Sequence, residues 1–187
     1  MRVIAGEAKG RELIAPKGMN TRPTLAKVKE AMFGTIQFDI DGARVLDLFS
    51  GSGGLGIEAI SRGAEHVTFC DADRQAYNAV KSNIANLHFE SRASVFFGDS
   101  LALLHTLSER GETFDIVFLD PPYETELENR ALKLLDELKL LNENAIVMCE
   151  HSGGNPPVFG ENYLTRKTKK YGDSYVTCAF YKGMVGL

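Results

Sequence analysis

From Arg44 onward the chain alternates short, densely apolar runs with longer stretches whose apolar residues recur at helical spacing. Val45 to Phe49, Val67 to Cys70, Ser94 to Phe97, Phe114 to Leu119 and Ala145 to Cys149 carry few polar positions, the pattern of strands buried on both faces. Between and after them, Leu55 to Arg62, Arg74 to Leu87, Leu101 to Glu109 and Leu127 to Leu138 read as helices. Strand and helix in strict alternation predict a mostly parallel sheet with helices on both faces. Leu164 to Lys169 and Tyr175 to Tyr181, parted by Tyr171-Gly172-Asp173, break the alternation and predict a C-terminal antiparallel hairpin. The expected architecture is therefore α/β, with seven strands.

The N-terminal stretch follows another pattern. Gly6, Gly10, Pro16 and Gly18 punctuate short alternating segments such as Arg11-Glu12-Leu13-Ile14, which predicts a small hairpin or extended arm. Thr24 is placed to cap a helix whose stripe is Leu25, Val28, Met32 and Ile36, with Lys27, Lys29 and Glu30 off the stripe. The division expected is a basic extension over 1–40 and an α/β domain over 41–187.

Composition narrows the class. A chain of 187 residues, 44% hydrophobic and 25% charged, suits one globular domain with a short extension. Its apolar runs are far shorter than the roughly 20 residues a membrane helix needs, and its start lacks a signal-peptide core, so a cytoplasmic location is expected. Cys70, Cys149 and Cys178 fall inside predicted strands and read as buried reduced thiols. His66, His88, His105 and His151 lack metal-ligand spacing and read as surface or strand-end residues, and no metal is expected.

The net charge of −4 is unevenly distributed. Residues 1–36 carry seven Lys/Arg against three Glu, and residues 163–182 carry five against one Asp, so each end is +4 and the body between is −12. Basic ends on an acidic body suit a polyanion that touches the ends.

The chemistry is concentrated at predicted strand ends. Asp47-Leu48-Phe49-Ser50-Gly51-Ser52-Gly53-Gly54 runs from a strand through a glycine turn into a helix, the place for a nucleotide-like cofactor. Asp47 would repel a pyrophosphate but can pair with the ammonium of S-adenosyl-L-methionine, whose carboxylate would meet the helix N-terminus. Cofactor contacts are expected from Asp47, Phe49, Ser50, Gly51, Ser52 and Gly53. Asp71, with Ala72, is placed for the ribose hydroxyls, while Asp73 reads as the cap of the next helix. Asp99 and Ser100 repeat the logic after the third strand, with Asp99 for the adenine amine, as a helix cap, or both.

Asp120-Pro121-Pro122-Tyr123 closes the fourth apolar run. An aromatic exocyclic amine is a poor nucleophile because its lone pair is delocalised, so it must be held with that pair aimed at the methyl carbon. The Asp120 carboxylate and the Pro121 carbonyl can accept its hydrogen bonds. Two prolines stiffen the frame and remove N–H donors, and Tyr123 can stack on the base. Transfer to the amine yields S-adenosyl-L-homocysteine without metal or covalent intermediate.

The set Arg2-Val3-Ile4-Ala5-Gly6, Gly10-Arg11, Thr21-Arg22-Pro23-Thr24, Val28-Lys29-Glu30, Asp47 to Gly53, Gly56-Ile57-Glu58-Ala59, Asp120 to Tyr123 and Lys170-Tyr171-Gly172-Asp173 resembles the bacterial 16S rRNA (guanine(966)-N(2))-methyltransferases over nearly the whole chain. The resemblance implies a Rossmann-like class I methyltransferase fold and the N2 amine of one guanine in 16S rRNA, within the small ribosomal subunit, as the substrate. Some family members have Phe at the position of Tyr123. Arg11, Arg22, Lys27, Lys167, Lys169 and Lys170 are the expected phosphate contacts, with Lys27 and Lys29 open to a reading as plain helix-surface charges. The sequence leaves other classes open: a DNA or other RNA amino-methyltransferase acting on adenine N6 or cytosine N4, an NAD-dependent oxidoreductase, and a noncatalytic RNA-binding module.

Overall fold

The computed structural model describes residues 1–16, 23–122 and 126–183. Its sheet contains β1 (Arg44–Asp47), β2 (His66–Asp71), β3 (Ala93–Phe97), β4 (Phe114–Leu119), β5 (Leu141–Ser152), β6 (Tyr163–Tyr171) and β7 (Ser174–Tyr181), in the order β3-β2-β1-β4-β5-β7-β6. The first five strands run parallel, and β7 pairs antiparallel with both β5 and β6. Five apolar strands joined by helices can only be parallel, because each helix returns the chain to the same end of the sheet.

Two apolar layers flank the sheet. On one face α1 (Pro23–Thr35), α2 (Gly54–Ser61) and α3 (Arg74–Leu87) bury Val28, Met32, Phe33, Ile57, Ile60, Val80 and Ile84 against Val45, Phe69 and Phe118, with Ile36 just past α1 in the same layer. On the other, α4 (Ser100–Glu109) and α5 (Leu127–Glu137) bury Leu104, Leu107, Leu132 and Leu135 against Leu46, Val117 and Val147. Thr24 falls inside α1, one residue after Pro23, instead of capping it; proline suits the first helical position, where its missing N–H has no partner to lose. Among the described residues no helix is long and apolar enough to cross a membrane.

The N-terminal hairpin is sewn to this body. Val3 and Leu13 pair with the backbone at Arg11 and Met1, and Val3, Ala8 and Leu13 are buried in the first apolar layer. Glu58 of α2, wholly buried, accepts from the Ile4 and Ala5 amides at 2.8 and 2.9 Å. Its carboxylate also meets Lys29 Nζ at 3.1 Å and Arg62 Nε at 2.8 Å. Lys29 is thus not off the apolar stripe of α1 but on it: it is 4% exposed and donates to the Arg2 carbonyl at 2.7 Å. Asn83 of α3 fastens both Ile14 and the Ser52 carbonyl.

Candidate active site

In an open parallel sheet ligands bind beyond the strand carboxyl ends, where strand order reverses. Here the reversal lies between β1 and β4, so Asp47 and Asp120 stand on either side of it, Asp47 in register with Phe118. Asp47 is 2% exposed, and its Oδ2 accepts from the Gly56 amide in the first turn of α2 at 2.9 Å. Burial pushes its carboxyl up to about 7, against the pull of that amide and with the help of Asp71.

The glycine turn is held from beneath. Gly51 and Gly53 have φ of 53° and 78°, left-handed values that a side chain resists. Asp71 grips this turn, accepting from the Gly51 amide at 2.8 Å, while its other oxygen accepts from the Asp73 amide at 2.8 Å. Ser50 Oγ donates to the Cys70 carbonyl, and Ser52 is 5% exposed beside Met1, so the turn presents backbone, not hydroxyls, to a ligand. A Cβ at Gly54 would strike Met1 Sδ, which assigns that glycine to packing of the chain start.

Asp73 caps α3, accepting from Gln75 and Ala76, and Asp99 caps α4, accepting from Ala102. Ala72 and Asp99 are exposed and Phe49 is half-buried at the cleft. Ser100 Oγ turns inward to the Leu48 carbonyl at 2.8 Å, locking α4 to the end of β1.

Asp120 is half-buried, Pro121 buried and Pro122 exposed, all in trans peptides. Burial raises the Asp120 carboxyl well above its ordinary range, and the acids Glu150, Asp47 and Glu128 add to the rise. Tyr123 lies outside the described residues, as does Arg22.

Arg11, Lys27, Lys167, Lys169 and Lys170 are all exposed, with Arg11 donating to the Asn86 carbonyl of α3. The C-terminal lysines do not form one cluster. Side chains alternate across a strand, and a register shift between Thr165 and Lys167 sets the phase: Lys167 and Lys169 border a groove with Ala31 and Thr35 of α1. Lys170 faces the other way and lies over the Tyr175 ring at 5.6 Å. Asp120 follows Leu119, whose row continues to Cys149; the next row is Glu150, Val176 and Lys169. Three strand spacings of about 4.8 Å therefore separate Lys169 from Asp120, about 14 Å in all.

His151 takes the strand-end position of the two expected for it, next to last in β5 and 4% exposed, with Nδ1 on the Ser152 carbonyl and Nε2 on Thr177 Oγ1. Two buried acids escaped the sequence reading. Glu150 follows the apolar run Ala145 to Cys149 just as Asp120 follows Phe114 to Leu119, a signal that was available. Glu128 shares the buried face of α5 with Ala131, Leu132 and Leu135, so its helical spacing also marked it.

A doubly wound sheet with a glycine turn on one side of its switch point and Asp-Pro-Pro on the other is that of a class I methyltransferase. The structure of yhhF from Escherichia coli, described as a candidate methyltransferase, superposes with a TM-score of 0.87 at 30% identity, covering 97% of this chain and 98% of that one. The chain belongs to the family described as Conserved hypothetical protein 95, which matches residues 1–182. YlbH of Bacillus subtilis, described as a candidate rRNA methyltransferase, is 45% identical over 184 residues, 97% of this chain and 98% of the relative. Ribosomal RNA small subunit methyltransferase D of Haemophilus influenzae is 38% identical over 173 residues, 92% of this chain and 89% of the relative.

Proposed function

We propose that this chain transfers a methyl group from S-adenosyl-L-methionine to the exocyclic N2 amine of a guanine in 16S rRNA, on the small ribosomal subunit. The observation that carries the reading is the placement of Asp120-Pro121-Pro122 directly across the switch point from the glycine turn, so that donor and amine share one crevice. The names of the relatives support ribosomal RNA as the substrate class.

The residues fit the cofactor. Left-handed Gly51 and Gly53 allow close backbone approach, the first turn of α2 offers N–H donors for the methionyl carboxylate, and Asp47, buried among acids, favours the ammonium. Asp71 and Asp99 stand at the next two strand ends for ribose and adenine. When bound, the cofactor supplies an electrophilic methyl on a positively charged sulfur.

The remaining work falls to the chain. Asp120 accepts one N–H of the amine and the Pro121 carbonyl the other, which leaves the nitrogen lone pair pointing across the crevice. Preorganised acceptors of this kind spare the reaction the cost of orienting the amine. Tyr123 stacks on the base. Arg11, Arg22, Lys27 and the lysines of β6 hold phosphates around the extruded base.

Tritiated methyl transfer to small ribosomal subunits, naked 16S rRNA, DNA and protein tests the reading. Incorporation is expected in the ribosomal RNA, at N2 of one guanine, and Asp120→Ala is expected to abolish it. Transfer only to DNA or protein, or full activity of Asp120→Ala, would overturn the assignment. Charge reversal at Lys169 and Lys170 should flatten the salt dependence of RNA binding by about 0.7–0.9 for each phosphate that is no longer neutralised.

A further inference from the structure

The N-terminal hairpin runs along α2 from end to end. At the far end of that helix Glu58 accepts the Ile4 and Ala5 amides, while Ser61 Oγ accepts from the Ala8 amide at 2.9 Å and donates to the Ala5 carbonyl at 2.6 Å. Gly6 lies so close that a Cβ there would overlap the Ser61 carbonyl. At the near end, where α2 leaves the glycine turn, the two open ends of the hairpin meet the turn itself. Met1 Sδ lies beside Ser52 and Gly54, and Ile14 is tied to Ser52 through Asn83 of α3.

Asn83 makes this junction while 1% exposed. Its Oδ1 accepts from the Ile14 amide at 2.7 Å, and its Nδ2 donates to the Ile14 carbonyl at 2.9 Å and to the Ser52 carbonyl at 3.0 Å. A side-chain amide has two N–H donors, and both are used. Pairing with the N–H and the C=O of one residue is what a neighbouring strand does, so Asn83 stands in for a strand at the end of the hairpin.

The bond to Ser52 acts on the cofactor turn. The peptide joining Ser52 to Gly53 is a rigid plane, and both of its polar groups are held, the carbonyl by Asn83 and the Gly53 amide by the Ser50 carbonyl at 2.7 Å. This plane lies between the left-handed residues Gly51 and Gly53. Glycine adopts many backbone conformations at little steric cost, so the turn takes its shape from such bonds and not from its own stiffness. Val80, one turn of α3 before Asn83, closes the same side: a Cβ on Gly53 would lie 3.2 Å from its Cγ2.

We propose that Asn83 is a positioning residue of the donor site, and that docking of the N-terminal hairpin and binding of the donor stabilise one another through it. When the hairpin is released, Ile14 leaves Asn83, whose amide then keeps one of its three bonds and no longer fixes the Ser52 carbonyl. When the donor is bound, the turn is fixed from its open side, and Asn83 is presented to Ile14 in the bonding orientation. Coupling of this kind is reciprocal: the factor by which the docked hairpin raises donor affinity is the factor by which the donor favours docking. Asn83 lies behind the turn and acts through Ser52. The inference rests on the donor half of the methyl-transfer reading above.

Hydrogen exchange of the unaltered full chain, with and without saturating S-adenosylhomocysteine, reads the coupling directly. The Ile14 and Ala5 amides, one near each end of α2, are expected to slow about three- to tenfold, the worth of one net hydrogen bond. The amides of Gly111 and Lys139, in turns at the opposite end of the sheet, should keep their rates. Asn83→Leu keeps the bulk and removes all three bonds, whereas Glu58→Ala frees the hairpin at the far end of α2 and leaves the turn untouched. Each should weaken S-adenosylhomocysteine binding by a similar factor, measured by calorimetry where the variant is fully folded. A merely structural Asn83 would lower the urea midpoint and move neither readout. Should Asn83→Leu fail to fold, exchange in the unaltered chain and the affinity of Glu58→Ala still decide. Unchanged rates at Ile14 and Ala5 under a ligand that binds, or full affinity in Glu58→Ala once Ala5 has lost protection, overturns the inference alone. Failure of both S-adenosylmethionine and S-adenosylhomocysteine to bind the unaltered chain overturns the methyl-transfer reading and the inference with it.

Discussion

Removing Glu58 should unfasten the N-terminal hairpin before it unfolds the sheet. Its carboxylate, wholly buried, receives the Ile4 and Ala5 amides at 2.8 and 2.9 Å and faces Lys29 and Arg62. Glu58→Ala leaves Lys29 with the Arg2 carbonyl alone, at 4% exposure, and breaking a buried pair from one side costs about 3–5 kcal/mol. Two half-buried amides left without acceptors add at most about 1 kcal/mol each, since water can reach them. The chain can avoid part of this by letting the hairpin go. That exposes Val3, Ala8 and Leu13, roughly 4–6 kcal/mol of burial, offset in part by regained backbone freedom. Detachment is the cheaper route, so the stability loss should saturate near about 3–5 kcal/mol. Urea denaturation would report that loss, and hydrogen exchange would locate it, with protection gone at Ala5 and Ala8 and retained at Leu46 and Val117. An unchanged urea midpoint with full protection at Ala5 would refute the argument.

Two further outcomes follow from burial. Asp47 and Glu128 titrate near 7 in the folded chain and near 4 unfolded. Between those values the folded state binds more protons, so unligated stability should fall as pH rises from about 4 to about 7, by at most about 1.4 kcal/mol per unit and group; urea midpoints at pH 5 and pH 8 check it, and a flat or rising profile removes the burial account. Gly56→Ala should cost about 1–3 kcal/mol and weaken cofactor binding, because its Cβ would collide with the Phe69 ring and lie 2.9 Å from Val67 Cγ1. Gly34→Ala, in α1 with nothing within 4 Å of its Cβ, should stabilise by about 0.4–1 kcal/mol, and thermal unfolding of the pair measures both.

What could be read from the chain was what short-range physics dictates. Apolar runs placed the first five strands, the turn at Tyr171-Gly172-Asp173 marked the last two, and helical spacing placed α2 to α5 nearly to their observed ends. Asp73 declared itself a cap because a short acceptor before a helix has little else to do. β5 proved longer than Ala145 to Cys149, since pairing with β7 carries it on to Ser152, a gain that no apolar pattern records. Lys29 was misread because its partner, Glu58, arrives from another helix, and charge on a helix says nothing about which face a distant segment will cover. The lysines of β6 looked like one patch, but side chains alternate across a strand, so Lys169 and Lys170 face opposite ways, and the shift after Thr165 decided which face Lys167 and Lys169 share.

The sequence by itself determined that this is an α/β chain with acids and glycines gathered at the ends of its strands, because period, propensity and turn chemistry act over a few residues. Only the tertiary structure decided that the strand order turns between β1 and β4, bringing Asp47 and Asp120 to one crevice, with Glu150 in the row beside Asp120. That outcome depends on which apolar faces find each other and on the dielectric they create around the carboxylates they bury, and neither is a property of any local stretch of chain.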